Sequence, residues 1–231
     1  MSFSGLNFVL YAFWQPNADG TISSLDTWAD LQIGGNGMML QLNTEVKPQY
    51  PGMKTLLAVG GYTLSSNFAA IAASKSLRDA FAESCLSAVK TYGFDGIDID
   101  WEFPASATEA SNFALLVAAL RSHLGTKYYI SLAMSVNLSV YGASLLDITK
   151  WADFVNLMTY DFGGPWDTYT SLNAPLYHDT ATDPNGDRGN VAGVVNAYKS
   201  AGVGASKMTV GVALYGHSVR MNCGVHRFSF P

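Results

Sequence analysis

Residues 94–104 read Phe94-Asp95-Gly96-Ile97-Asp98-Ile99-Asp100-Trp101-Glu102-Phe103-Pro104, and this stretch decides the fold. The alternation predicts a strand over residues 95–103, in which successive side chains face opposite sides. Asp98, Asp100 and Glu102 then share one face, and Ile97, Ile99, Trp101 and Phe103 share the other. Like charges at neighbouring positions on one face repel, and burial aggravates the repulsion. Such a row is tolerated where protons, a metal or a ligand relieve it. Asp95 has the opposite parity and begins the strand, so it reads as structural.

Working outward, short apolar runs alternate with helical patterns along the 231 residues. Further strands are expected at residues 7–13, 54–60, 128–136, 153–161 and 207–215. Helices are expected within residues 66–92, with Gly93 as the stop, and at 112–124, 143–151 and 190–200, the last ending at Gly202. Ser106 and Glu109 have the spacing of a capping box ahead of the second of these, and Gly125 follows it. A long loop takes residues 162–189. Strand–helix alternation implies parallel strands joined by right-handed crossovers. A β/α barrel and a doubly wound sheet both satisfy that, and both bind ligands at the carboxyl ends of their strands. The inward carboxylates favour the barrel, because a doubly wound sheet presses both strand faces under apolar helices. The expectation is therefore an α/β chain of TIM-barrel type, a single domain over residues 1–231, with about six βα units where a full barrel has eight. Residues 219–231 show no strand–helix pattern and read as a tail.

Composition narrows the partners. Hydrophobic residues make up 48% and charged ones 13%, which fits a globular chain. Thirteen basic against 18 acidic residues give a net charge of −5. With no Lys/Arg cluster, this argues against nucleic acid or an anionic membrane as partner. No apolar run reaches 18 residues, and Phe8 to Trp14 reads as a core strand rather than as part of a signal peptide. Two cysteines cannot make a disulfide framework; Cys85 falls in a helical pattern as a small core residue, and Cys223 lies in the tail.

The acidic strand admits three readings. A metal site is disfavoured because Ile97, Ile99 and Trp101 intervene where a calcium loop has flexible polar residues, and no His or Cys ligand spacing occurs elsewhere. A solvated edge strand conflicts with the wholly apolar opposite face. Catalysis explains more, since stacked carboxylates split their pKa values and one stays protonated as a general acid. Glu102, outermost, is the proton donor in this reading. Asp100 lies two positions deeper, able to share a proton and bond a substrate group, and Asp98 lies deeper again. Their titration belongs to the set rather than to any one residue.

These residues also carry a resemblance. Asp95-Gly-Ile-Asp98-Ile-Asp100-Trp-Glu102 matches the DGxDxDxE signature of family 18 glycoside hydrolases, the chitinases and chitinase-like proteins. Tyr11-Ala12-Phe13 resembles the family's second-strand YAF, and Gly60-Gly61 its third-strand SxGG, with Ala58 in place of the Ser. Met158-Thr159-Tyr160-Asp161 is similar to the sixth-strand MxYD, Tyr215-Gly216 to the seventh-strand YG, and Asn173 to Leu176 to the loop after strand six. The resemblance spans roughly residues 5–218 and makes the expected strands the family's second to seventh. Its first and eighth strands find no match, and no Trp follows Trp166 to serve as the eighth-strand platform.

The resemblance implies a retaining hydrolase of β-1,4 N-acetylglucosamine linkages in which the substrate's own N-acetyl oxygen is the nucleophile, an exception to the usual carboxylate pair. It makes Glu102 the acid and then the base, Asp100 the residue that orients the acetamido group, Asp98 its support, and Tyr160 a hydrogen-bond donor to the acetamido oxygen. Substrate contacts would come from Tyr11, Phe13, Gly61, Tyr62, Trp101, Met158, Asp161, Trp166 and Tyr215. Tyr62 stands where the family often has Trp, and His217 where many members have Arg. No cofactor and no metal are implied; the partner is chitin or a chitooligosaccharide, and members are commonly secreted. A chitin-binding chitinase-like protein without turnover, or an inactive truncated gene product, is the alternative, although lectin-type members often lose the glutamate that this chain keeps. The chitobiose core of N-glycans is a further substrate within the family's range. A barrel left open exposes two strand edges, and such edges invite pairing with another chain. Self-association that covers them, direct closure of the second strand on the seventh and a marginal fragment are the three outcomes open, and a partial barrel with some association is the expectation.

Overall fold

The computed structural model describes residues 2–167, 171–178 and 189–218. Its centre is one sheet built from β1 (Phe8–Pro16), β2 (Ile22–Ser24), β3 (Lys54–Gly60), β4 (Gly96–Asp100), β5 (Tyr129–Met134), β6 (Phe154–Leu157) and β7 (Met208–Val210), in the order β2-β1-β3-β4-β5-β6-β7. Every neighbouring pair is parallel except the β1–β2 hairpin. The six parallel strands are the six expected from the sequence.

The sheet curls into a barrel wall. Strands in a flat sheet lie ~4.8 Å apart, so β1 and β6, four places apart in the order, would be separated by ~19 Å. Instead the Phe8 ring of β1 sits 4.7 Å from that of Phe154 in β6 and 5.2 Å from that of Tyr129 in β5, centroid to centroid. These aromatics close the amino-terminal end of the barrel interior. Among the described residues β7 pairs only with β6, and β2 only with β1.

Strand parity sorts the side chains as alternation requires. Leu57, Val59, Ile97, Ile99, Ile130, Leu132, Val155 and Leu157 point outward and are buried under the helices. The helical layer comprises α1 (Thr27–Leu31), α2 (Gly37–Gln41), α3 (Phe68–Ala73), α4 (Lys75–Tyr92), α5 (Ala107–Leu124), α6 (Leu145–Lys150) and α7 (Val191–Ser200). Phe81 and Cys85 of α4, and Phe113 and Leu116 of α5, are fully buried against the outer face. Helix α4 stops at Gly93, whose φ of 73° is the left-handed cap glycine tolerates best. The capping box is present, with Ser106 Oγ accepting from Glu109 N–H at 3.1 Å and Glu109 Oε2 accepting from Ala105 N–H at 3.0 Å. The helix begins at Ala107, five residues before the expected start.

The strands are shorter than the alternation suggested. β4 ends at Asp100 rather than residue 103, β6 at Leu157 rather than 161, and β7 at Val210 rather than 215. Past the last ladder bond of β4 and β6 the chain turns into loops whose Phe103, Met158 and Tyr160 line the barrel mouth, whereas past β7 Val212 and Leu214 stay largely exposed. β2, α1, α2 and the π-helical turn Leu42–Val46 occupy a stretch for which the sequence offered no clear period. The readings of a tail at 219–231 and of Cys223 fall outside the described residues.

Candidate active site

The inner face of β4 brings Asp98 and Asp100 into the barrel, 3% and 6% exposed. Asp98 Oδ1 accepts from Ser131 Oγ on β5 and from Asn156 Nδ2 on β6, the latter at 3.1 Å. Asn156 is itself oriented by Thr209 of β7, whose hydroxyl donates to Asn156 Oδ1 at 2.7 Å. A chain of hydrogen bonds thus runs from the last strand to the middle one. Burial pushes the Asp98 carboxyl up to about 6 against the pull of those two donors.

Asp100 lacks such support. Its Oδ1 is buried with no hydrogen-bond partner among the described residues. Burial first, then the charges of Glu102 and Asp98, push it up to about 8. A carboxyl in that state holds a proton at neutral pH. Glu102 follows just past the strand, half-buried and raised above the ordinary glutamate range by burial and then by the Asp161 charge, while the Tyr62 backbone N–H lowers it.

The Gly60-Gly61 pair lets this corner form. A side chain on Gly60, at φ 111°, would collide with the Asp100 carbonyl, and Gly61, at φ 96°, donates its N–H to that carbonyl at 2.8 Å. Above the floor opens a cleft of about 400 Å³ lined by Tyr62, Glu102, Phe103, Ser135, Val136, Met158, Tyr160, Asp161, Trp166 and His217. Asp161 adopts φ 58°, a left-handed conformation that Asp tolerates better than most residues. Its Oδ1 accepts from Tyr215 Oη at 2.8 Å and lies 2.9 Å from His217 Nε2. The Tyr215 ring meets Tyr160 edge-on at 5.9 Å, and His217 meets Trp166 at 6.0 Å. Burial, followed by the charges of Asp100 and Glu102, raises the Tyr160 phenol, which keeps its proton and remains a donor.

Of the residues singled out from sequence, Glu102, Tyr160, Tyr62, Met158, Asp161 and Trp166 meet in the cleft wall, with Asp98 and Asp100 beneath and Tyr215 behind Asp161. Gly61 and Phe13 adjoin one another at its β3 side. Two assignments need correction. Tyr11 faces the outer side of the sheet, where its hydroxyl donates to Asp30 and its ring packs 6.2 Å from Phe94. A register shift between Tyr11 and Trp14 breaks the period of two, so Tyr11 and Phe13 do not share a face as strict alternation implies. Trp101 is 2% exposed, stacked on Phe68 at 5.6 Å and edge-on to Phe113 at 5.2 Å. It is a core plug. Phe103, expected on that apolar face, lines the cleft instead because the regular strand has already ended.

Sequence reasoning missed Ser131, Asn156, Ser135 and Val136. Ser131, Ser135 and Asn156 are polar residues within or at the end of otherwise apolar strand runs, which is the signal that could have found them. Ser135 is fixed by two phenols: its N–H donates to Tyr141 Oη at 2.8 Å, and its carbonyl accepts from Tyr198 Oη at 2.7 Å. Among the described residues no group of three or more His, Cys, Asp or Glu side chains is placed to hold a metal ion.

The fold and the site define a β/α barrel wall with a row of carboxyl groups under its mouth, and comparison with known proteins gives the family. The model of glycosyl hydrolases family 18 matches residues 2–226, and the chain belongs to that family. Chitinase 1 of Aphanocladium album is 38% identical over 96% of this chain. The chain spans 57% of that relative's length. Among solved structures, the Group IV chitinase of Ostrinia furnacalis in complex with allosamidin superposes with a TM-score of 0.79 at 30% identity, covering 89% of this chain and 57% of that one. Catalytic domain 2 of the Ostrinia furnacalis Group II chitinase, solved as a mutant with penta-N-acetylchitooctaose, gives 0.81 at 27% identity, covering 89% and 56%.

Proposed function

We propose that the protein hydrolyses β-1,4 linkages between N-acetylglucosamine units of chitin or chitooligosaccharides, with retention and with the substrate's acetamido group as nucleophile. The observation that carries this reading is the orphaned, buried Asp100 carboxyl directly below Glu102. A protonated carboxyl that is itself 6% exposed and whose Oδ1 has no partner among the described residues offers the acetamido N–H or oxygen a hydrogen bond.

In this mechanism Glu102, whose carboxyl burial and the Asp161 charge raise above the ordinary glutamate range, donates its proton to the leaving glycosidic oxygen as the bond to the anomeric carbon breaks. The acetamido oxygen closes on that carbon and forms an oxazolinium ion. Asp100 and Tyr160 hold the acetamido group, and Asp98 takes up part of the charge as the proton shared with Asp100 moves. Water then attacks the anomeric carbon, Glu102 accepts its proton, and the acetamido group is released. Tyr62 and Trp166, 80% and 63% exposed, offer flat apolar surfaces at the mouth for sugar rings.

The test is hydrolysis of a defined chitooligosaccharide by wild type and by Glu102→Gln. A general acid contributes about 10²–10⁴-fold, so the variant should lose at least two orders of magnitude in kcat; equal turnover by both sinks the assignment. Calorimetry on the same ligand separates the alternative, since tight binding with no cleavage by wild type describes a chitin-binding protein. Secretion and pairing through the sheet edges, at β2 and β7, belong to the same proposal; sedimentation over a concentration series checks the pairing.

A further inference from the structure

We propose that Ser65 is the positioning residue for the acid pair, and this rests on the function proposed above. The sheet does not hold Glu102. β4 pairs with β5 only over Gly96–Ile99 and with β3 only as far as Asp100, so the ladder is exhausted two residues before Glu102. What meets the Glu102 backbone instead is a side chain. Ser65, in the 3-10 turn Tyr62–Asn67 that follows β3, accepts the Glu102 N–H on its Oγ at 2.8 Å. The same oxygen lies 3.0 Å from the Gly61 carbonyl and 3.3 Å from the Asp100 carbonyl, and its single proton serves these two acceptors.

Ser65 therefore touches the main chain on both sides of Trp101: the carbonyl of Asp100 before it and the N–H of Glu102 after it. The Trp101 ring, wedged between Phe68 and Phe113, fixes where that residue sits, and Gly61 N–H holds the Asp100 carbonyl before it, which leaves the tilt of the peptide plane carrying the Glu102 N–H to Ser65. The hydroxyl fixes that tilt, and with it the height at which the Glu102 carboxyl enters the cleft above Asp100. Ser65 is 9% exposed and does not line the cleft, so it acts through Glu102 and not on substrate.

The test is Ser65→Ala. A displacement near 1 Å at a reacting group costs about 100-fold, so a loss of roughly 30-fold or more in kcat is expected with KM within about twofold. Amide hydrogen exchange at Glu102 should speed up by about tenfold or more while Ile97 and Ile99 stay protected, and the carboxyl titration of Glu102, followed by carbon NMR, should move by about half a pH unit. Two results overturn the proposal: kcat within twofold of wild type, or exchange accelerated equally at Ile97, Ile99 and Glu102, which marks general loosening. If wild type itself cleaves no chitooligosaccharide, the functional reading fails, and the exchange and titration measurements still decide the role of Ser65.

Discussion

The floor of the cleft and its rim are built on opposite terms. At the floor, every residue of β4 is buried, both flanking strands are in place, and polar partners for Asp98 arrive from β5 and β6. At the rim, Tyr62 and Trp166 are largely exposed, and beyond β7 the chain leaves Val212 74% and Leu214 96% exposed. The difference teaches where each function resides. Proton chemistry needs the low dielectric and fixed geometry of the floor, whereas a polymer is held by surfaces it can reach from solvent.

The sharpest way to break that comparison is in the floor's apolar support. Trp101→Ala removes a fully packed indole and should cost about 3–5 kcal/mol of stability, read by denaturant unfolding; a loss under about 1 kcal/mol refutes its role as a core plug. Next comes charge. The Asp100 carboxyl sits at about 8 in the fold against ~3.9 in an unfolded chain. The folded state therefore binds more protons than the unfolded one between those values, and this group lowers stability as pH rises from ~4 toward ~8. Asp100→Asn should raise Tm at pH 8 by at least ~2–4 °C, about 1 kcal/mol, with the gap closing below pH ~4. Parallel pH profiles for the two proteins contradict the buried proton.

The rim predicts smaller effects of a different kind. Trp166→Ala should raise KM for a chitooligosaccharide by roughly 2- to 12-fold, the equivalent of an aromatic contact of ~0.5–1.5 kcal/mol, while Tm hardly moves; a fall in kcat alone would place Trp166 in the floor's chemistry. Smallest of all, Tyr11→Phe should leave kcat and KM within about twofold and cost ~1 kcal/mol of stability, because Asp30 keeps its bonds from Trp14 and Ser24. A large activity loss there would return Tyr11 to the site.

How far the sequence could be read follows the same division. The acidic strand, the six parallel strands and their order were legible because period-two alternation and helix punctuation are local signals. Tyr11 was misread because a register irregularity reset the alternation, which no local pattern announces. Glu102 was read as part of the strand, although the strand stops at Asp100 and a serine from the preceding turn takes over its backbone. Ser131 and Asn156 were overlooked because their meaning depends on which residue lies opposite, a fact of register between strands.

The clamp on Ser135 has a consequence for how the cleft comes into being. Its carbonyl bond comes from Tyr198 on α7, 63 residues further along. The three acids lie within five residues of one another, so their row exists as soon as β4 forms. The clamp on the wall beside them is finished only when α7, which begins at Val191, docks. Completing that clamp is thus a high-contact-order event even though the acids are written locally, and a nascent chain halted before residue 191 would carry the acids and most of the cleft lining without the α7 phenol that fixes Ser135.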